Sequence, residues 1–111
     1  MEKNYKGRFE HFTPQRILDN YSDRNDEIVV SNGRGIDLVS LTGAGRRLWL
    51  LLDGKHNTRQ IADILCEEFS IEDSEGMLSE VKILLLALQK KNLVIVNWDP
   101  LYKLSLPQEL N

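Results

Sequence analysis

The run LWLLLDGKHNTRQIADIL, Leu48 to Leu65, constrains the fold more than any other part of the chain. Leu48 through Leu52 are all apolar. That is far short of the roughly 18 to 20 residues of a membrane span, and on a helix it leaves no polar side. A helix that is apolar all round has to be covered on several sides. Leu48, Trp49, Leu51 and Leu52 are therefore expected between a sheet and further helices. Asp53-Gly54 then ends the segment, because glycine accepts the left-handed conformation common at helix C-termini.

The helical period begins at Thr42, a suitable N-cap, and the first helix is predicted to reach about Leu52. Asn57 with Gln60 three residues on has the form of a capping box. It opens a second helix to about Phe69, with an inner stripe of Ile61, Ile64, Leu65 and Phe69. A third helix, about Asp73 to Lys91, has its stripe at Met77, Leu78, Val81, Leu84, Leu85 and Leu88. Ile83 and Leu86 fall off that stripe at about 100° per residue.

Before Thr42 the pattern is that of strands. Gln15–Leu18, Glu27–Ser31 and Ile36–Leu41 are short and rich in β-branched or apolar residues, and the turn-forming clusters NYSDRND and NGRG separate them. They predict an antiparallel meander, with Asn32-Gly33 and Gly35 turning the second strand into the third. Alternation puts Asp37, Val39 and Leu41 on one face of the third strand and Ile36, Leu38 and Ser40 on the other. LVIV, Leu93 to Val96, reads as a final extension or short strand. The expected architecture is α+β: a three-stranded antiparallel meander followed by a three-helix bundle, winged helix-turn-helix-like. Residues 1–13 would form an N-terminal extension, 14–97 the domain and 98–111 a C-terminal tail.

Composition narrows the function. The formal charge of −3, with acids and bases interspersed, argues against a protein built to neutralise phosphates. Cys66, the single cysteine, cannot form an internal disulfide, and no Cys or His pair has zinc-ligand spacing, so no metal or cofactor is expected. The start MEKNYKGRFEHF lacks the apolar centre of a signal peptide, and a cytoplasmic protein without membrane contact is expected. His11 and His56 fit no nucleophile or metal pattern and read as solvated or turn residues. Trp49 reads as core, and Cys66 as a small buried hydrophobe. Arg46 and Arg47 could meet acidic side chains of a ligand, although adjacent surface arginines are usually solvated.

The joint spacing of Leu41, Thr42, Gly45, Leu48, Trp49, Leu51, Leu52, Asp53, Gly54, Asn57, Gln60, Ile61, Leu65 and Phe69, continued by Val81, Leu84, Leu85, Leu88, Asn92 and Leu93, resembles the PqqD family. That family includes the recognition domains for ribosomally made, post-translationally modified peptides. The chain departs from the family's pattern at Gly45, where alanine is typical, at Asn57, where threonine is, and at Asn92, where glycine is. The resemblance implies a non-catalytic module that captures the leader of a precursor peptide and presents it to a modifying enzyme, often a radical SAM protein, as in PQQ biosynthesis. It also implies the site: the leader adds as a strand along Ile36, Asp37, Leu38, Val39, Ser40 and Leu41 and lays apolar groups against Leu78, Lys82, Leu85 and Leu86 of the third helix.

Two other classes compete with this reading. A winged-helix DNA-binding transcriptional regulator would share the architecture, but Arg59, Gln60 and Lys82 stand among Glu67, Glu68, Glu75 and Glu80, poor footing for a nucleic acid. A small enzyme lacks a nucleophile, base and orienting group in one place. Whether Ile83 and Leu86 meet a peptide, the tail or the second copy of a homodimer stays open in the sequence.

Overall fold

The switch from strand to helix falls at Thr42 in the computed structural model, which describes residues 9–17, 20–32 and 34–97. The strands are β1 (Gln15–Arg16), β2 (Tyr21–Asp23), β3 (Glu27–Ser31), β4 (Asp37–Thr42) and β5 (Val94–Ile95). The helices of eight or more residues among the described residues are α1 (Gly43–Leu50), α2 (Thr58–Glu68) and α3 (Ser74–Lys90). The protein is α+β, with a three-stranded antiparallel sheet in the order β2-β3-β4.

The first strand of that sheet is not the expected one. Gln15–Arg16 pairs with Val94–Ile95 in a separate two-stranded ribbon, and Leu18 lies outside the described residues. The sheet's first strand comes instead from Tyr21–Asp23, inside the cluster read as a turn. Contact with α1 selects it. Tyr21 and Asp23 share a face of β2, since strand side chains alternate. Trp49 and Arg46 share a face of α1, three residues apart. Tyr21 meets Trp49 edge-on at 5.8 Å, and Asp23 takes a two-pronged ion pair from Arg46 at 2.8 and 3.0 Å. The turn shrinks to Arg24–Asp26, where Asn25 adopts φ 78° and its N–H donates to Asp23 Oδ1.

β3 is the central strand, and Ile28, Val29 and Val30 are all buried. The β3–β4 connection is closed by Asn32, whose Oδ1 accepts from the N–H groups of Arg34 and Ile36, and by Gly35 at φ 86°. Gly33 lies outside the described residues. Val30 faces Val39 while Ser31 faces Asp37, so β4 carries one extra residue, Leu38, in a bulge. A bulge breaks alternation and re-aims a side chain. Leu38 accordingly packs against the core beside Val39, instead of pointing away from it.

β4 runs into α1 without a loop, turned by Gly43 at φ 54°. Thr42 occupies the N-cap position, but its side chain makes no capping hydrogen bond. Leu48, Trp49, Leu51 and Leu52 are buried, as the all-round apolar run requires. The helix stops at Leu50, two residues short of expectation, because β1 covers its end. Arg16 N–H donates to Leu52 O, and the Arg16 guanidinium donates to Trp49 O at 2.8 Å. Cations are favoured at the carbonyls of a helix's last turn.

The Asn57–Gln60 capping box forms in full. Next to it, Thr58 is buried, and both its N–H and its hydroxyl donate to Phe12 O. α2 buries Ile61, Ala62 and Leu65, with Ile64 half-buried. Phe69 is not in the stripe. The helix ends at Glu68, and Phe69 stands exposed at the C-cap, where the chain turns away. α3 is capped by Asp73 accepting from Gly76 N–H and closes in a Schellman motif. Leu93 N–H reaches Leu88 O, Asn92 N–H reaches Gln89 O, and Asn92 takes φ 62°. The motif delivers Leu93 and Val94 into the core. Phe9, in the segment read as an extension, is buried in the same core.

Candidate functional site

β3 covers one edge of β4, and among the described residues β4 pairs with no other strand. Its exposed backbone can accept an added strand. Ile36 lies one residue before β4 and is more than half exposed, and Asp37 and Ser40 are also exposed. Leu38 and Val39 are half-buried, and Leu41 is buried. The Ser40 hydroxyl donates to the Glu27 carboxylate across the hairpin.

The C-terminal end of β4 leads into an apolar cleft of about 350 Å³ between the first turn of α1 and one flank of α3. Ala44 and Gly45 form one wall, and Glu80, Ile83, Leu84 and Ala87 the other. Gly45 keeps the cleft open. A β-carbon there would sit 3.6 Å from Leu41 and 3.7 Å from Leu84, in ordinary contact with both. Ile83 is 62% exposed, a large apolar side chain at the cleft's mouth.

A second groove, about 210 Å³, runs along the opposite flank of α3. Phe9, Phe12, Val96 and Asn97 face Lys82, Leu86 and Gln89 across it. The Lys82 ammonium lies 5.2 Å from the Phe9 ring centre, a cation–π contact.

None of the helix residues expected to meet a leader, Leu78, Lys82, Leu85 and Leu86, lines the first cleft. Lys82 and Leu86 belong to the second groove, and Leu78 is half-buried. Leu85 is completely buried and has no surface for a ligand, which corrects its place in the expected set. The α3 residues that face α1 across the first cleft are Glu80, Ile83, Leu84 and Ala87, with Ala44 and Gly45 opposite. Helical spacing groups Glu80, Ile83, Leu84 and Ala87 on one flank and Lys82, Leu86 and Gln89 on the other. That grouping is present in the sequence. Which flank meets the sheet is not.

The arginines are engaged. Arg46 holds Asp23, and Arg47 holds Glu68 through two hydrogen bonds of 2.8 and 2.9 Å. The hydrogen bonds and charge of this pair raise the Arg47 guanidinium and lower the Glu68 carboxyl from their ordinary values. Arg59 ties Glu10, Asp63 and Glu75 together. His56 is a turn residue, as expected, but it has an acid beside it: its Nδ1 lies 3.0 Å from Asp53 Oδ1. Burial acts to raise the Asp53 carboxyl, yet the Lys55 N–H and the His56 ring outweigh it and hold it below the ordinary value. Cys66 is half-buried, not fully buried. Among the described residues no three His, Cys, Asp or Glu side chains cluster as metal ligands would. No helix among them is long and apolar enough to cross a membrane.

Comparison with curated proteins and with solved structures gives no match in either set. Residues 27–94, which run from β3 through α3 to the start of β5 and so include both walls of the cleft, match the model of the family described as coenzyme PQQ synthesis protein D, and the chain belongs to this PqqD family.

Proposed function

We propose that the protein is a peptide-binding accessory module that takes up the leader of a ribosomally made precursor peptide and presents it to a modifying enzyme, a radical SAM protein in a pathway such as PQQ biosynthesis. The observation that carries this reading is the continuity of two features: an uncovered strand edge at β4 and an apolar cleft beginning where that strand ends. A leader pairing antiparallel with Ile36–Leu41 gains main-chain hydrogen bonds, which choose little among sequences. Its side chains near the Leu41 end enter the cleft between Gly45 and Leu84, and the cleft supplies the choice.

The DNA-reading alternative would call on Arg59, Gln60 and Lys82. Arg59 is held by three carboxylates, Gln60 closes the capping box, and Lys82 lies over Phe9. Little remains on that face to hold phosphates.

Amide shifts of the labelled protein test the proposal, titrated with the leader of a short precursor reading frame beside its gene. Shifts concentrated in β4, Ala44–Gly45 and Ile83–Ala87 are expected. Shifts that avoid both β4 and this flank of α3 would sink it.

A further inference from the structure

Glu80 is the one charged side chain among the residues lining the cleft beside β4. It is exposed, and among the described residues it makes no hydrogen bond or ion pair, whereas Glu10, Asp23, Asp63, Glu68 and Glu75 are each held by an arginine. Among the described residues, the cations of the two helices that wall the cleft are placed elsewhere. Arg46 and Arg47 on α1 are turned to Asp23 and Glu68, and Lys82 lies in the opposite groove. Lys90 is about 15 Å of helix rise beyond Glu80. At the other end of the strand edge, Asp37 is exposed and also without an ion pair among the described residues. An apolar cleft with a single unneutralised carboxylate in its wall favours one sign of charge in whatever fills it.

We infer that the peptide received by this cleft carries a lysine or arginine next to its apolar anchor, placed to meet Glu80. The inference rests on the peptide-binding reading and adds a charge rule to it. Glu80 and Ile83 are one helical turn apart on the same flank, so they are neighbours. A long basic side chain can lay its methylenes along the exposed Ile83 and bring its charged head to the Glu80 carboxylate. In an antiparallel pairing with β4, that basic residue falls toward the N-terminal end of the bound segment, because the cleft adjoins the C-terminal end of β4. An acidic residue at the same place meets a like charge at Glu80, with no cation among the described residues lining the cleft, and is rejected.

A phage-displayed random-peptide library, panned separately on the full chain and on its Glu80→Gln and Glu80→Lys variants, tests the rule. Bound peptides are sequenced, and representatives are mapped by amide shifts. Expected from the parent are peptides enriched several-fold in Lys or Arg at one position fixed relative to an apolar anchor. The enrichment disappears with Glu80→Gln and turns to Asp or Glu with Glu80→Lys. Glu80 is exposed, so unchanged melting of both variants is also expected. Peptides that map to β4 and the cleft without a charge bias, or with a bias that survives Glu80→Gln, overturn the inference and leave the peptide-binding reading standing. If no peptide is recovered, or all of them map away from β4 and the cleft, both fall.

Discussion

Helices α1 and α3 each carry more apolar residues than one packing face requires, and the surplus meets different ends. Around α1 it is absorbed. Trp49 has Tyr21 against its ring and Arg16 over it, and Leu48, Leu51 and Leu52 are buried with it. On α3 the surplus stays at the surface, with Ile83 62% and Leu86 42% exposed, each beside its own groove. A short helix between a sheet and a second helix uses its apolar residues for stability. A long helix with one buried stripe has two flanks left over, and these can serve recognition.

The sharpest break of this comparison is Trp49→Ala. It empties a fully buried site and should lower unfolding free energy in urea by about 3 to 5 kcal/mol. A loss under 1 kcal/mol would mean that α1 does not anchor the core. Ile83→Ser should do the opposite, leaving stability within about 0.5 kcal/mol of the parent, as exposed sites usually do. Leader affinity should then fall about tenfold, equivalent to about 1.4 kcal/mol, because the large apolar side chain at the mouth of the cleft is lost. Leu86→Glu, in the other groove, should leave affinity unchanged. Equal losses from both variants, measured by calorimetry, would merge the two flanks into one surface.

Gly45→Ala sits where the two regions meet. Its β-carbon would make ordinary contacts with Leu41 and Leu84, and the residue is helical without a positive φ. A stability gain of up to about 1 kcal/mol is expected from the helix preference alone, together with weaker leader binding as the cleft narrows. The smallest effect concerns acid. The folded state lowers the Glu68 carboxyl, so the Arg47–Glu68 contribution is complete above the ordinary value of about 4.3. It is lost as the pH falls through the lowered folded value. Glu68→Gln should therefore lower stability slightly at neutral pH and flatten the acid side of the profile over that window, so that parent and variant converge at low pH. A parent and variant with parallel acid limbs would show that the pair contributes nothing measurable, a common finding for exposed ion pairs.

The sequence by itself determined the three helices, the Asn57 cap and most of the core, because these depend on neighbours three or four residues away. The Asn57–Gln60 box and the buried faces at Trp49, Ile61 and Val81 are all local patterns. Tertiary structure alone decided the rest. Tyr21–Asp23 is polar and turn-like in isolation and becomes a strand because Trp49 and Arg46 wait at matching spacing. Gln15–Arg16 leaves the sheet because Val94–Ile95, at the far end of the domain's sequence, offers a partner. The bulge at Leu38 depends on register with β3, and register is a property of two strands. The same limit governs the site. Periodicity separates Ile83 and Leu84 from Lys82 and Leu86 on α3, but a helix carries no mark of which flank will face β4. That choice is made only when the sheet, α1 and α3 pack together.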